Sequence, residues 1–348
     1  MTTLKVVTTF PFSAPSQSLL REAGESGTAE VLFVNRQQEL VDHLAEAEIL
    51  CTYSVPADWR ERAPHLRWLQ YPGAGVDSLR SSGLLEADSG VMVTTATGIH
   101  ATTISEYVFG SMLMFNWNWP QMVRLQDRHI WARSASWYNL GGRELVGQTL
   151  GVVGLGHIGR RVAQLGHAFG MRVLGMRRST HASGEAVGAG EDDGELPAHA
   201  SDTQEVEGVD AFYAPDHLHE MLGLCDYVVL SVPLTRETEK MISEAELRAM
   251  RPNAYLVNIA RGRVVDEQAL IRALQEGWIA GAGLDVTEEE PLPAESPLYA
   301  MPNVILTPHI SGASVYYDSR LAALFAENLR RYCAGEPLLN LYDAARGY

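Results

Sequence analysis

Arg261, Glu290 and His309 are the side chains in this sequence best suited to moving a proton beside an anion. They stand in three short segments, Asn258-Ile259-Ala260-Arg261-Gly262, Glu288-Glu289-Glu290-Pro291-Leu292-Pro293 and Thr307-Pro308-His309-Ile310-Ser311-Gly312, and a fourth, Gly283-Leu284-Asp285-Val286, adds a carboxylate. An unperturbed imidazole titrates near neutrality and can give or take a proton. Glu290 would bond the other ring nitrogen of His309, fix its tautomer and favour the charged ring. Arg261 offers a planar fork that can grip a carboxylate and polarise a carbonyl.

A second group of residues points to phosphate. The run Gly154-Leu155-Gly156-His157-Ile158-Gly159 follows a strand-like stretch, Thr149–Val153, and opens a helical pattern over 157–169. In that context the first glycine permits the tight turn, the second lets backbone approach a pyrophosphate, and the third lets helix and strand pack closely. The N–H groups at the helix start, at His157 and Ile158, would hold the phosphates. The loop therefore reads as a dinucleotide site.

The next strand, Arg172–Met176, runs into Arg177-Arg178-Ser179. NAD-binding units usually carry Asp or Glu about 20 residues after the loop, to bond the ribose 2′-hydroxyl. Two guanidiniums and a hydroxyl would instead attract a 2′-phosphate. The expected cofactor is NADP(H), with NAD(H) as the lesser alternative. In the plainer reading of the same residues, both arginines are a solvated strand end with no selectivity.

The elements that must carry these residues alternate. Strand patterns at 5–9, 30–34, 49–52, 67–70 and 91–94 are interleaved with helical patterns near 16–23, 37–47 and 57–62. A long helical run follows from 101 to about 126, with Pro120 expected to end or kink it. A second alternation begins at Thr149 and continues with strands at 227–231, 255–259, 280–284 and 304–306, and a last long helix is expected over 313–333. Such alternation implies parallel sheets, with ligands at the carboxyl ends of the strands. Each of the four chemical segments follows one of these strands, so Arg261, Asp285, Glu290 and His309 are expected to converge.

Residues 179–210 interrupt the pattern with nine carboxylates and no Lys or Arg, and read as a mobile surface insertion; a partner-binding acidic arm is the alternative. The net charge of −16 argues against a nucleic-acid or anionic-membrane surface. Cys51, Cys225 and Cys333 match no metal spacing, no metal is expected, and reduced thiols suit the cytoplasm. The stretch Met1-Thr2-Thr3-Leu4-Lys5-Val6-Val7 reads as the approach to a strand rather than a signal peptide, and no run reaches the length of a membrane span.

The segments Gly-Leu-Gly-x-Ile-Gly, Asn-x-Ala-Arg-Gly, Gly-Leu-Asp-Val, Glu-Pro-Leu-Pro and Thr-Pro-His, in this order and spacing, resemble the D-isomer-specific 2-hydroxyacid dehydrogenases over nearly the whole chain. The resemblance implies an α/β fold of two lobes with a cleft between them. A Rossmann dinucleotide-binding domain, 116–310, is inserted in a flavodoxin-like substrate domain, 1–115 plus 311–348. It implies hydride transfer between a nicotinamide and a small 2-keto acid or D-2-hydroxy acid. His309 would be the acid/base, Glu290 its partner and Arg261 the substrate clamp.

Asp285 is expected on the nicotinamide and ribose side. Pro233, Ile259 and Ala260 join the candidate cofactor contacts, as does Thr103 at the start of the helix that would link the lobes. Ala74 and Gly75, in Gln70-Tyr71-Pro72-Gly73-Ala74-Gly75-Val76-Asp77, would nest the substrate carboxylate. The resemblance also implies a homodimer. Trp131 and Trp137 are either linker packing or side chains that reach a partner subunit's active site. Two rival readings are an NAD-linked enzyme of the phosphoglycerate dehydrogenase type and a dinucleotide-sensing, corepressor-like protein.

Overall fold

The structure, a computed structural model, describes residues 3–34, 37–86, 88–131, 142–177, 206–345 and 347. These fall into two compact units, one running to His100 and resuming at Ser314, the other running from Ala101 to Ala313.

The first unit is built on strands β1 (Leu4–Thr8), β2 (Ala29–Phe33), β3 (Ile49–Cys51), β4 (Trp68–Gln70) and β5 (Met92–Thr94), with helices α1 (Ala14–Ser26), α2 (Gln37–His43) and α3 (Trp59–Arg62) between them. All pairings are parallel, in the order β2-β1-β3-β4-β5. This is the flavodoxin-like order. Successive side chains of a strand point to opposite faces. Val6, Ile49, Cys51 and Trp68 thus meet Leu20 of α1 on one face, while Val7, Leu50, Leu69 and Val93 meet Leu40 and Trp59 on the other. Both faces are covered, which explains the near-continuous apolar strands.

The second unit contains α4 (Ala101–Asn116), α5 (Trp119–Asp127), β6 (Thr149–Val153), α6 (His157–Ala168), β7 (Arg172–Met176), β8 (Ala211–Tyr213), α7 (Leu218–Leu222), β9 (Tyr227–Leu230), α8 (Glu244–Ala249), β10 (Tyr255–Asn258), α9 (Glu267–Glu276), β11 (Gly281–Leu284) and β12 (Val304–Leu306). Its seven strands are parallel, in the order β12-β11-β10-β9-β6-β7-β8. The chain steps outward from β6 to β8, then returns to β9 on the other side of β6. The switch point is therefore at the carboxyl ends of β6 and β9, where such sheets bind ligands. Leu150, Val152, Tyr227 and Val257 pack against Val108, Met112 and Val162 of α4 and α6; Val153, Leu230, Leu256 and Leu284 pack against α7, α8 and α9. The last helix is α10 (Tyr317–Ala334), whose Leu321, Phe325 and Leu329 complete the core of the first unit.

The structure differs from the sequence expectation in four places. First, α4 packs in the second unit, so the packing division falls at 100/101 where the sequence division fell at 115/116. The stacked rings of Phe109 and Phe169, 4.9 Å apart, are part of that packing. Second, the long helical run breaks before Pro120. Helix α4 ends at Asn116, Asn118 takes φ +51°, and Pro120 sits in the first turn of α5, where its missing N–H costs nothing.

Third, β8 was not expected. It is three residues long, pairs with β7 alone and follows the acidic stretch directly. Fourth, the tail of that stretch is part of the unit. Val206 is buried and Asp210 accepts the Val173 N–H at 2.7 Å, while residues 179–205 lie outside the described residues. Among the described residues no helix is long and apolar enough to cross a membrane.

Candidate active site

The glycine loop joins β6 to α6 at the switch point. Gly154 has φ +100°, and a Cβ there would stand 2.8 Å from the Ser231 carbonyl oxygen; a Cβ on Gly159 would stand 1.9 Å from the Gly154 carbonyl oxygen. Ser231 Oγ donates to that same carbonyl at 2.7 Å, pinning the loop to the end of β9. Both glycines are thus required by the protein's own packing. Gly156 is different. It has φ −74°, and a Cβ there would meet nothing within 4 Å. It caps α6 without a side-chain acceptor, so the first N–H groups of the helix are left for an outside anion. A pyrophosphate fits this arrangement.

His157 opens α6, and its Nε2 is buried with no hydrogen-bond partner. Burial, and secondarily the nearby Arg160 charge, push its pKa below the ordinary value, so the ring is neutral at pH 7. An anion at this helix start would therefore be held by backbone N–H groups. Ile158, in the same first turn, is half-buried against the core.

At the end of β7 the Arg177 guanidinium lies 4.4 Å over the Phe212 ring, and the Arg177 backbone N–H donates to the Tyr213 carbonyl. Arg178 and Ser179 lie outside the described residues. Pro233, past β9, is exposed and accepts from Thr238 Oγ1. Ile259 and Ala260 are buried just past β10, and Thr103 is half-buried in the first turn of α4.

The candidate acid–base residues follow three adjacent strands. Arg261 comes after β10, Asp285 and Glu290 after β11, and His309 after β12. Glu290 Oε2 accepts from His309 Nδ1 at 2.8 Å, and Glu290 Oε1 accepts the Thr287 N–H at 3.2 Å. A carboxylate only accepts, so Nδ1 carries the proton in this pair, and Nε2 is the ring nitrogen that Glu290 does not take. The His309 side chain is 48 % exposed, open to a ligand. Its backbone has φ +53°, the left-handed region that non-glycine residues rarely adopt and that costs about 1–3 kcal/mol.

Arg261 is held through both its backbone and its guanidinium. Asn258 Nδ2 donates to its carbonyl at 3.0 Å, and its own Nη1 donates to the Ala260 carbonyl at 2.7 Å. The next residue, Gly262, lies so close to the chain that its Cβ would stand 1.8 Å from the Thr287 carbonyl oxygen. The Arg261 turn is therefore packed against the segment that carries Glu290.

Asp285 is 1 % exposed. The sequence reading gave it a cofactor contact, but its carboxylate is turned into the 307–311 loop, where it accepts from Thr307 Oγ1, Ile310 N and Ser311 N. The sequence reading missed Tyr107, which bonds Thr307, and Phe212, which lies under Arg177. Thr307 was visible in the Thr-Pro-His segment, whereas its partner lies 200 residues away.

In the first unit, the loop after β4 is held at Pro72 by the Tyr317 hydroxyl and at Gly73 by the Ala96 N–H, which leaves Ala74 exposed and Gly75 half-exposed. Among the described residues no three His, Cys, Asp or Glu stand together as a metal site.

The family model for the NAD-binding domain of D-isomer-specific 2-hydroxyacid dehydrogenases matches residues 109–197 and 195–311. The chain belongs to the D-isomer-specific 2-hydroxyacid dehydrogenase family. It is 37 % identical over 304 residues to a glyoxylate reductase of Korarchaeum cryptofilum, covering 84 % of this chain and 81 % of that one. It is 32 % identical over 343 residues to a D-3-phosphoglycerate dehydrogenase of Methanocaldococcus jannaschii, covering 98 % of this chain and 59 % of that one. A D-isomer-specific 2-hydroxyacid dehydrogenase of Xanthobacter autotrophicus, solved with NADPH and MES, is 30 % identical, covers 100 % of both chains and gives a TM-score of 0.77. This dehydrogenase is accordingly an NAD(P)-dependent oxidoreductase with a Rossmann domain inserted in a flavodoxin-like one.

Proposed function

We propose that this dehydrogenase reduces a small, unphosphorylated 2-keto acid to the D-2-hydroxy acid, with NADP(H) preferred over NAD(H). The observation that carries the reading is the 2.8 Å bond between His309 Nδ1 and Glu290, at the carboxyl end of the sheet whose switch point bears the glycine loop. A bound reduced nicotinamide supplies the hydride. His309 Nε2 gives the proton to the carbonyl oxygen, and Glu290 stabilises the ring in the state that can give it. Arg261 pairs with the substrate carboxylate and polarises the carbonyl. The N–H groups of Ala74 and Gly75 are assigned to the carboxylate as well.

Support for the 2′-phosphate comes from Arg177, a cation stacked on Phe212 at the strand end where an NAD site would carry an acid. Arg178 and Ser179 are assigned to the same group on sequence grounds. Support for a homodimer comes from α5, which has no buried residue, and from Trp117, Trp119, Val123, Ile130 and Trp131, all at least 48 % exposed. Trp131, at 84 %, is one of the two side chains assigned to reach the partner's site; the other, Trp137, lies outside the described residues. Buried Cys51 and Cys225 are free thiols, in keeping with a cytoplasmic enzyme.

The test is oxidation of NADPH or NADH with glyoxylate, pyruvate or hydroxypyruvate, alongside titration of both dinucleotides. Turnover with tighter NADPH binding is expected. Equal or tighter NADH binding removes the cofactor preference. Tight binding with no turnover on any acid favours a dinucleotide sensor.

A further inference from the structure

One buried carboxylate holds the chain on both sides of His309, through the Thr307 hydroxyl before it and the Ile310 and Ser311 N–H groups after it. Asp285 Oδ1 accepts from Thr307 Oγ1 at 2.6 Å and from Ile310 N at 2.9 Å; Asp285 Oδ2 accepts from Ser311 N at 2.9 Å. The His309 N–H itself donates to the Asp285 carbonyl at 2.8 Å. Four hydrogen bonds from one residue thus fix a five-residue loop whose central member has the left-handed backbone that its side chain disfavours.

The loop is tied to α4 as well. Tyr107 of α4 lies 2.7 Å, oxygen to oxygen, from Thr307 Oγ1. Threonine has a single hydroxyl proton, and here it is committed to Asp285. Tyr107 must therefore be the donor. Burial, only partly offset by the Thr307 hydrogen bond, pushes the Tyr107 phenol up to about 12, so it keeps that proton across the neutral and mildly alkaline range. The chain of donors runs in one direction, from Tyr107 to Thr307 to Asp285.

We infer that Tyr107 and Thr307 are positioning residues for proton transfer at His309, acting through Asp285. The inference rests on the reading of His309 as the acid. The loop has two anchors, the Glu290 bond on the imidazole and the Asp285 bonds on the Thr307 hydroxyl and the flanking backbone. Removing the Thr307 hydroxyl leaves Asp285 short of one donor and Tyr107 without its acceptor. The loop is then free to relax from the left-handed conformation, and the ring loses its aim while the glycine loop is untouched.

The test compares Tyr107→Phe, Thr307→Val and Thr307→Ser in the full-length enzyme. Turnover is measured with glyoxylate and NADPH, and the NADPH dissociation constant by tryptophan fluorescence. Histidine-selective 15N spectra are recorded with the His309 resonance assigned through His309→Asn. Thr307→Val is expected to lower kcat about twentyfold or more and Tyr107→Phe about fivefold. The NADPH dissociation constant should stay within twofold of wild type, and Thr307→Ser should recover most of kcat. The His309 resonance should move in Thr307→Val in the same direction as in Glu290→Gln.

Unchanged kcat in both Tyr107→Phe and Thr307→Val overturns the inference. So does a loss of kcat matched by equal losses of NADPH affinity and melting temperature, which would make the residues merely structural. If wild type itself turns over no 2-keto acid, the reading of His309 as the acid fails first and the inference falls with it.

Discussion

Glu290 spans two donors, taking His309 Nδ1 on one oxygen at 2.8 Å and the Thr287 N–H on the other at 3.2 Å. The carboxylate therefore cannot swing to another partner without giving up both bonds. Glu290→Gln keeps an acceptor for Nδ1–H but removes the charge that supports a protonated ring. A hydrogen bond to a charged group contributes about 1.5–3 kcal/mol, or about 10- to 150-fold in rate. The pair is partly exposed, with side chains 48 % and 38 % accessible, so the lower end applies. Expected is a kcat about tenfold down for Glu290→Gln with little change in KM, and a larger loss for Glu290→Ala. Steady-state kinetics with glyoxylate checks this; an unchanged kcat in both variants means that Glu290 does not support the acid.

The glycine loop separates what the fold needs from what a ligand needs. Gly159→Ala would drive a methyl group to 1.9 Å from the Gly154 carbonyl oxygen, while Gly156→Ala would meet no protein atom within 4 Å. Gly159→Ala should cost about 1–3 kcal/mol of stability, the range for overpacking a tight core. Gly156→Ala should melt like wild type yet bind NADPH at least tenfold more weakly, because the methyl group occupies the path of the pyrophosphate. Thermal melts and dinucleotide titrations of the two variants give the comparison. If Gly156→Ala binds normally, the phosphates are not held at the start of α6.

Arg177 offers the sharpest test of cofactor choice. Its guanidinium is already stacked on Phe212, 4.4 Å from the ring centroid, so it is ordered before a ligand arrives. Replacing it with Glu reverses the charge at the strand end. NADPH affinity should fall by at least tenfold, and NADH affinity should hold or rise. Arg177→Ala should weaken NADPH less, since Arg178 is expected to share the load. A parallel fall for both dinucleotides would mean that Arg177 only supports the fold.

How far the sequence reached can be judged at these residues. The glycine loop was legible because a turn, a close approach and a helix start each demand glycine at a fixed spacing. Arg261, Glu290 and His309 were legible because each follows a strand in an alternating pattern. Other features depend on contacts far apart in sequence. Asp285 was visible as a carboxylate after β11, expected on the nicotinamide and ribose side, but its turn toward Thr307, Ile310 and Ser311 arises only when β11 and β12 pair. Tyr107 reads as one more apolar-face residue of α4 until the fold brings it to Thr307. Strand β8 is three residues, Ala211–Tyr213, on a sheet edge, too short for its period to show. The division between compact units falls one helix before the sequence division, because the apolar face of α4 does not say which sheet it covers.

At the opposite, amino-terminal ends of the strands, Asp226 collects the Thr149 N–H, Arg143, Arg251 and Asn253, with its side chain only 7 % exposed. Burial pushes its carboxyl up, but the Thr149, Asn253 and Arg251 hydrogen bonds and the Arg143 charge outweigh it, and the net pKa lies below the usual value. A carboxyl depressed in the folded state adds stability that is present above the unfolded value, about 4, and is lost as pH falls through the folded value. Removing one partner of a fully buried charge pair costs about 3–5 kcal/mol. Here Arg143 and Arg251 are 28 % and 40 % exposed and can turn to water, so about 2 kcal/mol is expected for Asp226→Ala at pH 7. The difference from wild type should shrink as pH drops below about 4, where the wild-type carboxyl takes up its proton. Urea midpoints of the two proteins from pH 7 down to pH 3 measure this directly; a difference that stays constant over that range would show that Asp226 acts by packing rather than by charge.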